Sequence, residues 1–272
     1  MRFAELCITS NFTVLTGASH AEEYVDRAAL LGLSALAIAD ENSVAGIVRA
    51  HTRLREIARQ VKERQTAQLI GPPAPWTPTP PPEERYPGGK ADAPLFTKTH
   101  APVAAFETRV GRPPPHDASA TILNVPRLIP GARIVLNNGF SVTTLPENRT
   151  GWGHLCRLIS RGRLRAEKGH CLLHMDDLLE FGDNLALLIH PPQAQAVQGG
   201  ASAWLSQAKR LTRRFPGKGH LVMAPAYDGQ DAERFDWIAD LAEQLGIPTI
   251  ASACPRMHHG SRRKLADVLT AI

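Results

Sequence analysis

Short apolar runs alternate with helical patterns along most of this 272-residue sequence. Residues 35–39 and Leu185–Ile189 are too short and too uniformly apolar for surface helices, so each predicts a buried strand. Asp231–Leu245 has apolar residues on one helical face and ends before Gly246, which is typical of an amphipathic helix. Because alternating strands and helices pair in parallel through crossovers, the sequence predicts an α/β fold, as an open sheet or a barrel.

Other elements follow from local signals. Asn138-Gly139, between apolar residues 133–136 and 140–144, predicts an antiparallel hairpin. The spacing of Ser19 and Glu22 fits a capping box at the start of a helix. The remaining predicted elements are helices over residues 44–62 and 202–215 and strands over residues 221–224 and 249–253.

A proline-rich stretch interrupts this pattern, because residues 72–115 contain 13 of the 22 prolines. Proline removes amide donors and favours polyproline II, so no packed core is expected there. We interpret residues 71–127 as an exposed, poorly ordered insertion. Residues 1–70 and 128–272 are then predicted to form one domain.

Charge and cysteine content bound the class of protein. The formal net charge is +5, and no apolar run approaches the roughly 20 residues needed to cross a bilayer. The four cysteines are widely separated and form no CxxC pair, so reduced thiols are expected. We expect a cytoplasmic location with no membrane contact.

Several blocks resemble a known family. Residues 6–12 (LCITSNF) and 35–46 (ALAIADENSVAG) resemble the opening of polymerase-and-histidinol-phosphatase (PHP) domains. Residues 155–159 (LCRLI), 165–169 (RAEKG) and 262–270 (RRKLADVLT) are similar to bacterial error-prone C-family DNA polymerases, which are related to the DNA polymerase III alpha subunit. The resemblance implies a distorted (β/α)7 TIM-like barrel at the amino terminus of a longer polymerase.

Active members of this family hold a metal cluster that hydrolyses phosphoesters, but the ligand pattern fails here. The family's ligand positions fall on Cys7, Thr9, Asp40, Glu41, Arg133, Cys254 and Arg256. Only Asp40 keeps the family's ligand. A metal cluster needs several anionic or imidazole donors, whereas a nearby guanidinium repels a divalent cation by several kcal/mol. We therefore expect no metal and no catalytic residues in this segment.

Two further arrangements of this cleft follow as hypotheses. Arg133 and Arg256 can replace the metal charge by pairing with Asp40 and Glu41. Alternatively, the side chains of Cys7, Asp40, Cys254 and His258 can hold a zinc ion. Buried thiols that only fill space remain the simpler interpretation of Cys7 and Cys254. His190 is interpreted as a loop residue rather than a ligand.

A basic stretch is the candidate nucleic-acid contact. Its cations are Arg157, Arg161, Arg163, Arg165 and Lys168, which with Glu167 give a local charge of 5 − 1 = +4. Such a stretch can bind phosphates through counterion release. A solvated face, or an interface to the rest of a polymerase, explains it equally well.

These inferences predict a catalytically degenerate PHP domain with a structural and docking role in an error-prone polymerase of DNA replication and damage-tolerant translesion synthesis. The expected partners are the polymerase palm and thumb, DNA through the parent protein, and accessory translesion or clamp proteins. This segment needs no cofactor, whereas the parent uses magnesium. The alternatives are a metal-dependent phosphoesterase or proofreading 3′–5′ exonuclease, and a free-standing nucleic-acid-binding protein.

Overall fold

The computed structural model describes residues 3–70, 125–192 and 200–272. The chain divides into two compact units, of which the first comprises residues 1–63 and 121–272. Of the second unit, residues 64–120, the structure describes only the end of one helix. The predicted insertion over residues 71–127 therefore lies almost entirely outside the described residues.

The first part of the chain forms a parallel three-stranded sheet in the order β1-β2-β3. Its strands are β1 (Ala4–Ile8), β2 (Ala35–Ile38) and β3 (Arg127–Pro130). Its helices are α1 (Ala21–Leu30) and α2 (Ala45–Ile70). The predicted strand over residues 35–39 is confirmed as β2, whose residues are all buried. Strand β3 was not predicted, because four residues that include Ile129 and Pro130 give no periodic signal.

Helix α1 begins one residue later than its predicted capping box requires. Glu23 accepts a 2.8 Å hydrogen bond from the backbone N–H of His20, which is the N-cap residue. The predicted cap, Ser19, instead bonds through its Oγ to His258 Nδ1 at 2.9 Å. A contact 239 residues away in sequence therefore replaces the local one.

A second sheet contains five strands in the order β4-β5-β6-β7-β8. They are β4 (Ala132–Val135), β5 (Ser141–Pro146), β6 (Leu185–Ile189), β7 (Gly219–Met223) and β8 (Thr249–Ala251). The predicted hairpin is confirmed by the antiparallel pairing of β4 with β5. Parallel pairing holds from β6 to β8, but β5 is antiparallel to β6 as well. Strand β5 therefore runs against the predicted parallel pattern.

Five helices accompany this second sheet. They are α3 (Arg149–Arg165), α4 (Met175–Phe181), α5 (Gly200–Arg214), α6 (Asp231–Leu245) and α7 (Arg263–Ala271). The carboxamide of Asn148 caps α3 by accepting from the Gly151 N–H at 2.9 Å. Gly246 ends α6 in the left-handed conformation, as its sequence predicts. Within the described ranges, no helix is long and apolar enough to cross a membrane.

The strands close into a distorted barrel. Only Gly131 separates β3 from β4, so these two segments are counted as one interrupted strand, which gives seven strands in the described residues. A Cβ at Gly131 would lie 2.6 Å from the Leu145 side chain, so glycine is needed at this break. Near β8, the Thr9 N–H donates to the Pro255 carbonyl at 3.1 Å. The interior is filled by a cluster built around Cys7, Ala37, Leu145, Leu188 and Val222. These contacts agree with the expected (β/α)7 TIM-like barrel.

Candidate functional site

Asp40, at the carboxyl end of β2, is the centre of a buried hydrogen-bond cage. Its Oδ1 accepts from the Ser10 N–H at 2.7 Å and from the Thr13 hydroxyl at 3.1 Å. Its Oδ2 accepts from the Ser10 hydroxyl at 2.8 Å. A Cβ at Gly46 would lie 2.5 Å from Oδ2, so only glycine lets α2 approach this closely. The cage ties the loop after β1 to the end of β2 and the first turn of α2.

Burial and the cage act in opposite directions on the pKa of the Asp40 carboxyl group. Asp40 is fully buried, and burial raises its pKa above the usual value. The hydrogen bonds from Ser10, Thr13 and the Gly46 amide oppose that rise because they favour the charged form. Each carboxylate oxygen already accepts a hydrogen bond from a protein donor, so a metal ion would compete with these bonds.

The predicted ion pairs between the two arginines and the two acids are wrong. Arg133 donates to the Ser141 hydroxyl at 3.1 Å, and its buried Nε has no partner among the described residues. Arg256 is exposed, and among these residues neither arginine forms an ion pair with Asp40 or Glu41. Hydroxyl and amide donors close to Asp40 in the folded chain satisfy it instead.

Glu41 lies at the same strand end but its side chain is exposed. Its backbone forms a parallel bridge with Arg133, and its N–H donates to the Thr13 hydroxyl at 2.9 Å. Burial raises the pKa of Cys171, and the negative charges of Asp177 and Glu41 add smaller contributions against the opposing charge of Arg163.

Cys7 and Cys254 are brought together at the barrel interior. Interaction with the Cys254 thiol, and then burial, raises the pKa of Cys7, whereas interaction with Cys7 lowers the pKa of Cys254 against the opposing effect of burial. The Ser252 hydroxyl lies 3.5 Å from Cys254 Sγ and also donates to the buried carboxylate of Glu5. Glu5 further accepts from the Ala253 N–H at 2.8 Å, so it clamps β1 to the segment after β8.

His258 lies apart from this pair, against the start of α1. Its Nδ1 is 2.9 Å from the Ser19 hydroxyl and 3.6 Å from Glu23, and its ring meets Tyr24 edge to face. Burial works against it, but hydrogen bonds from Arg262 and the His20 backbone hold the pKa of Glu23 below its usual value. The predicted zinc set is therefore split, because His258 and Asp40 are each engaged away from the thiols.

His190 follows β6 and is buried at the barrel mouth, whereas the sequence predicted a residue of a solvated loop. Its Nε2 lies 2.8 Å from the Thr143 hydroxyl, and its carbonyl accepts from Trp204 Nε1 at 3.1 Å. Burial, with the charge of Arg133, lowers the pKa of His190 to about 3. Arg133 lies opposite Thr143 in the β4–β5 pairing, so both side chains share one sheet face. A neutral imidazole and a guanidinium thus occupy the same part of the mouth.

This donor set does not fit the family's metal cluster. Cys7 and Cys254 pack together in the interior cluster, the retained carboxylate is caged, and a guanidinium shares the cleft with a neutral imidazole. Across residues 3–70, 125–192 and 200–272, no three His, Cys, Asp or Glu side chains are grouped so that they could hold one metal ion. Thr9 contributes a buried hydroxyl, which is a weak ligand.

The basic stretch of α3 is largely engaged in structural contacts. Arg165 forms a two-point ion pair with Asp177 at 2.6 and 2.9 Å, and Arg161 pairs with Glu180. Arg163 donates to the Asn42 carbonyl at 2.9 Å. Of the predicted phosphate contacts, only two exposed cations, Arg157 and Lys168, form neither an ion pair nor a side-chain hydrogen bond in the described part of the chain.

Comparisons with known proteins place this geometry in a family. The PHP domain matches residues 5–245. A protein of Ruegeria pomeroyi named error-prone DNA polymerase is 37% identical over the whole chain, and a namesake of Sinorhizobium medicae is 33% identical over 99% of it. The chain spans only 22% and 18% of these relatives.

One solved structure gives the fold alone. It is a protein of Bifidobacterium adolescentis that is assigned by inference as a metal-dependent phosphoesterase. It aligns with a TM-score of 0.50 at 10% identity, covering 95% of this chain and 88% of its own. Because the match to residues 5–245 takes in strands β2 to β7 and the Asp40 cage, this chain belongs to the PHP domain family.

Proposed function

We propose that this chain is a catalytically degenerate PHP domain with a scaffold and docking role in an error-prone DNA polymerase. The observation that carries the proposal is the cage of Asp40, the one ligand position that keeps the family's residue. Both of its oxygens accept hydrogen bonds from Ser10, and Thr13 adds a third. We infer that this carboxylate holds the fold together instead of holding a metal.

The cost of recruiting Asp40 to a metal supports this assignment. A metal ion at its oxygens would displace buried hydroxyl or amide donors, and each donor left unpaired costs about 1–3 kcal/mol. Of the remaining positions, only Glu41 carries a negative charge, and its side chain is exposed. The others supply Thr9, two thiols and the guanidinium groups of Arg133 and Arg256. Hydrolysis through a metal cluster has no support in this donor set.

The role of the parent protein rests on the relatives. We propose that the parent carries out magnesium-dependent nucleotide addition in replication and translesion synthesis in the cytoplasm, with this domain bracing the palm and thumb. DNA and accessory translesion or clamp proteins are its further proposed partners. The names of the relatives and their greater length support this proposal. A docking role is also supported by α7, where Leu265 and Val268 are exposed apolar residues.

Metal stoichiometry of the purified chain tests the proposal. The chain is exposed to manganese and zinc, freed of loosely bound ions and analysed for metal, in parallel with hydrolysis of a chromogenic phosphodiester. We expect close to no bound metal and no hydrolysis. The proposal fails if the chain holds one or more tightly bound ions and if Asp40→Asn removes both the metal and the hydrolysis.

The two alternatives have different signatures. A phosphoesterase or exonuclease would give metal-dependent hydrolysis in the same assay. A nucleic-acid-binding protein would give an affinity for DNA that falls steeply with salt and weakens in an Arg157→Ala, Lys168→Ala double variant. The observation that favours this second alternative is that both cations are exposed to solvent.

A further inference from the structure

Cys7 and Cys254 lie opposite each other across the closure of the barrel. The hydrogen bond from the Thr9 N–H to the Pro255 carbonyl sets the alignment of β1 with the segment after β8. Glu5 reinforces it by accepting from both Ser252 and Ala253. Both cysteines belong to one packed cluster of the barrel interior, in which Cys7 is a buried member and Cys254 packs against it.

The two thiols differ in their access to solvent. Cys7 is buried, whereas Cys254 is half-buried at the mouth. The Cys254 backbone has a φ of 44°, in the left-handed region, and its N–H donates to the Ser252 hydroxyl at 3.1 Å. An oxidant can therefore reach Cys254 first, with Cys7 behind it in the same packed cluster.

We propose that Cys7 and Cys254 are a redox pair that a hydroperoxide converts into a reversible disulfide. Cys254 Sγ lies 3.5 Å from the Ser252 hydroxyl at the half-buried end of the pair, so it is the sulfur that meets the oxidant first. The other two cysteines are separated from this pair. Cys171 lies beside Gly162 and Cys156 lies on α3.

The chemistry balances with hydrogen peroxide as the oxidant. The Cys254 thiolate attacks one peroxide oxygen, the O–O bond breaks, and a sulfenic acid forms as hydroxide leaves. Cys7 Sγ then attacks the Cys254 sulfur, the S–S bond forms, and the S–O bond breaks with loss of water. Two thiols lose two electrons in total and one peroxide becomes two waters. A small dithiol reverses the reaction.

Such a bond would fasten β1 to the end of the barrel wall. It would join positions that now depend on the Glu5 clamp and one backbone hydrogen bond. Oxidation is therefore expected to raise the temperature of unfolding, and reduction to restore the original value.

Thiol counting on the 272-residue chain tests the proposal. The chain is treated with hydrogen peroxide, free thiols are blocked with N-ethylmaleimide, and intact masses and non-reduced peptides are measured. We expect two maleimide labels instead of four, a peptide that links Cys7 to Cys254, and four labels again after dithiothreitol. Cys156→Ser should leave the cross-link unchanged.

A variant at position 254 completes the design. Cys254→Gly suits the left-handed backbone and should keep its three remaining thiols free after peroxide. The proposal is overturned by four labels on the oxidised chain, by a bridge to Cys156 or Cys171, or by sulfenic or sulfinic acid on Cys254 with Cys7 still free. Peptide mapping of the unaltered chain gives these answers even if a variant fails to fold.

Discussion

Acid is expected to destabilise the chain through the imidazole of His190. This ring is neutral in the folded chain, where burial and Arg133 lower its pKa to about 3, against 6.5 for an unperturbed histidine. Between those values the unfolded chain binds a proton that the folded chain does not. The free energy of unfolding therefore falls by about 1.4 kcal/mol per pH unit as pH drops through this window.

A His190→Gln variant isolates this contribution, because glutamine does not titrate and can still bond to Thr143. Between pH 6 and pH 4, the unaltered chain should lose about 2.5 kcal/mol more stability than the variant. Urea unfolding at a series of pH values measures the difference, and His51→Gln on exposed α2 serves as the matched control. Parallel pH profiles for the unaltered chain and the His190 variant would refute the argument.

Three further changes have defined outcomes. Asp40→Asn should lower the free energy of unfolding by about 2 kcal/mol, since a buried donor loses its charged acceptor; an unchanged urea midpoint would contradict the cage. Gly17→Ala should destabilise the chain because its Cβ would lie 2.0 Å from the Ser10 carbonyl oxygen, whereas Gly153→Ala in α3 has open space and should stabilise it by about 0.5–1 kcal/mol in the same assay. Asp177→Asn should destabilise the chain at pH 7, because hydrogen bonds from Arg165 hold the pKa of that carboxyl below its usual value, and the difference should vanish in acid below that pKa.

Elements with strong local patterns could be predicted from the sequence. The hairpin around Asn138-Gly139 and helix α6 with its Gly246 cap depend on neighbouring residues alone, and both are confirmed. Helix α4 spans only seven residues and was missed, because so short a segment carries little helical periodicity. The antiparallel pairing of β5 with β6 was also not predicted, because the long connection between these strands carries no sequence signal for their relative direction.

The candidate site was predictable in its positions but not in its contacts. The resemblance placed Cys7, Cys254 and Asp40 at one end of the barrel. The partners of Asp40 were missed because Ser10 lies 30 residues away and its hydroxyl leaves no periodic signal. Glu5 was also overlooked, although an acidic residue inside an otherwise apolar strand indicates a buried polar contact.

The Asp40 cage has a consequence for how sequence records are interpreted. An aspartate at a ligand position of the family is commonly taken as a sign of catalysis. Here its hydrogen bonds from Ser10 and Thr13, and the close approach of Gly46, give the aspartate a structural role that needs no catalysis. Among relatives, these four positions should change together or not at all, whether or not the protein hydrolyses anything.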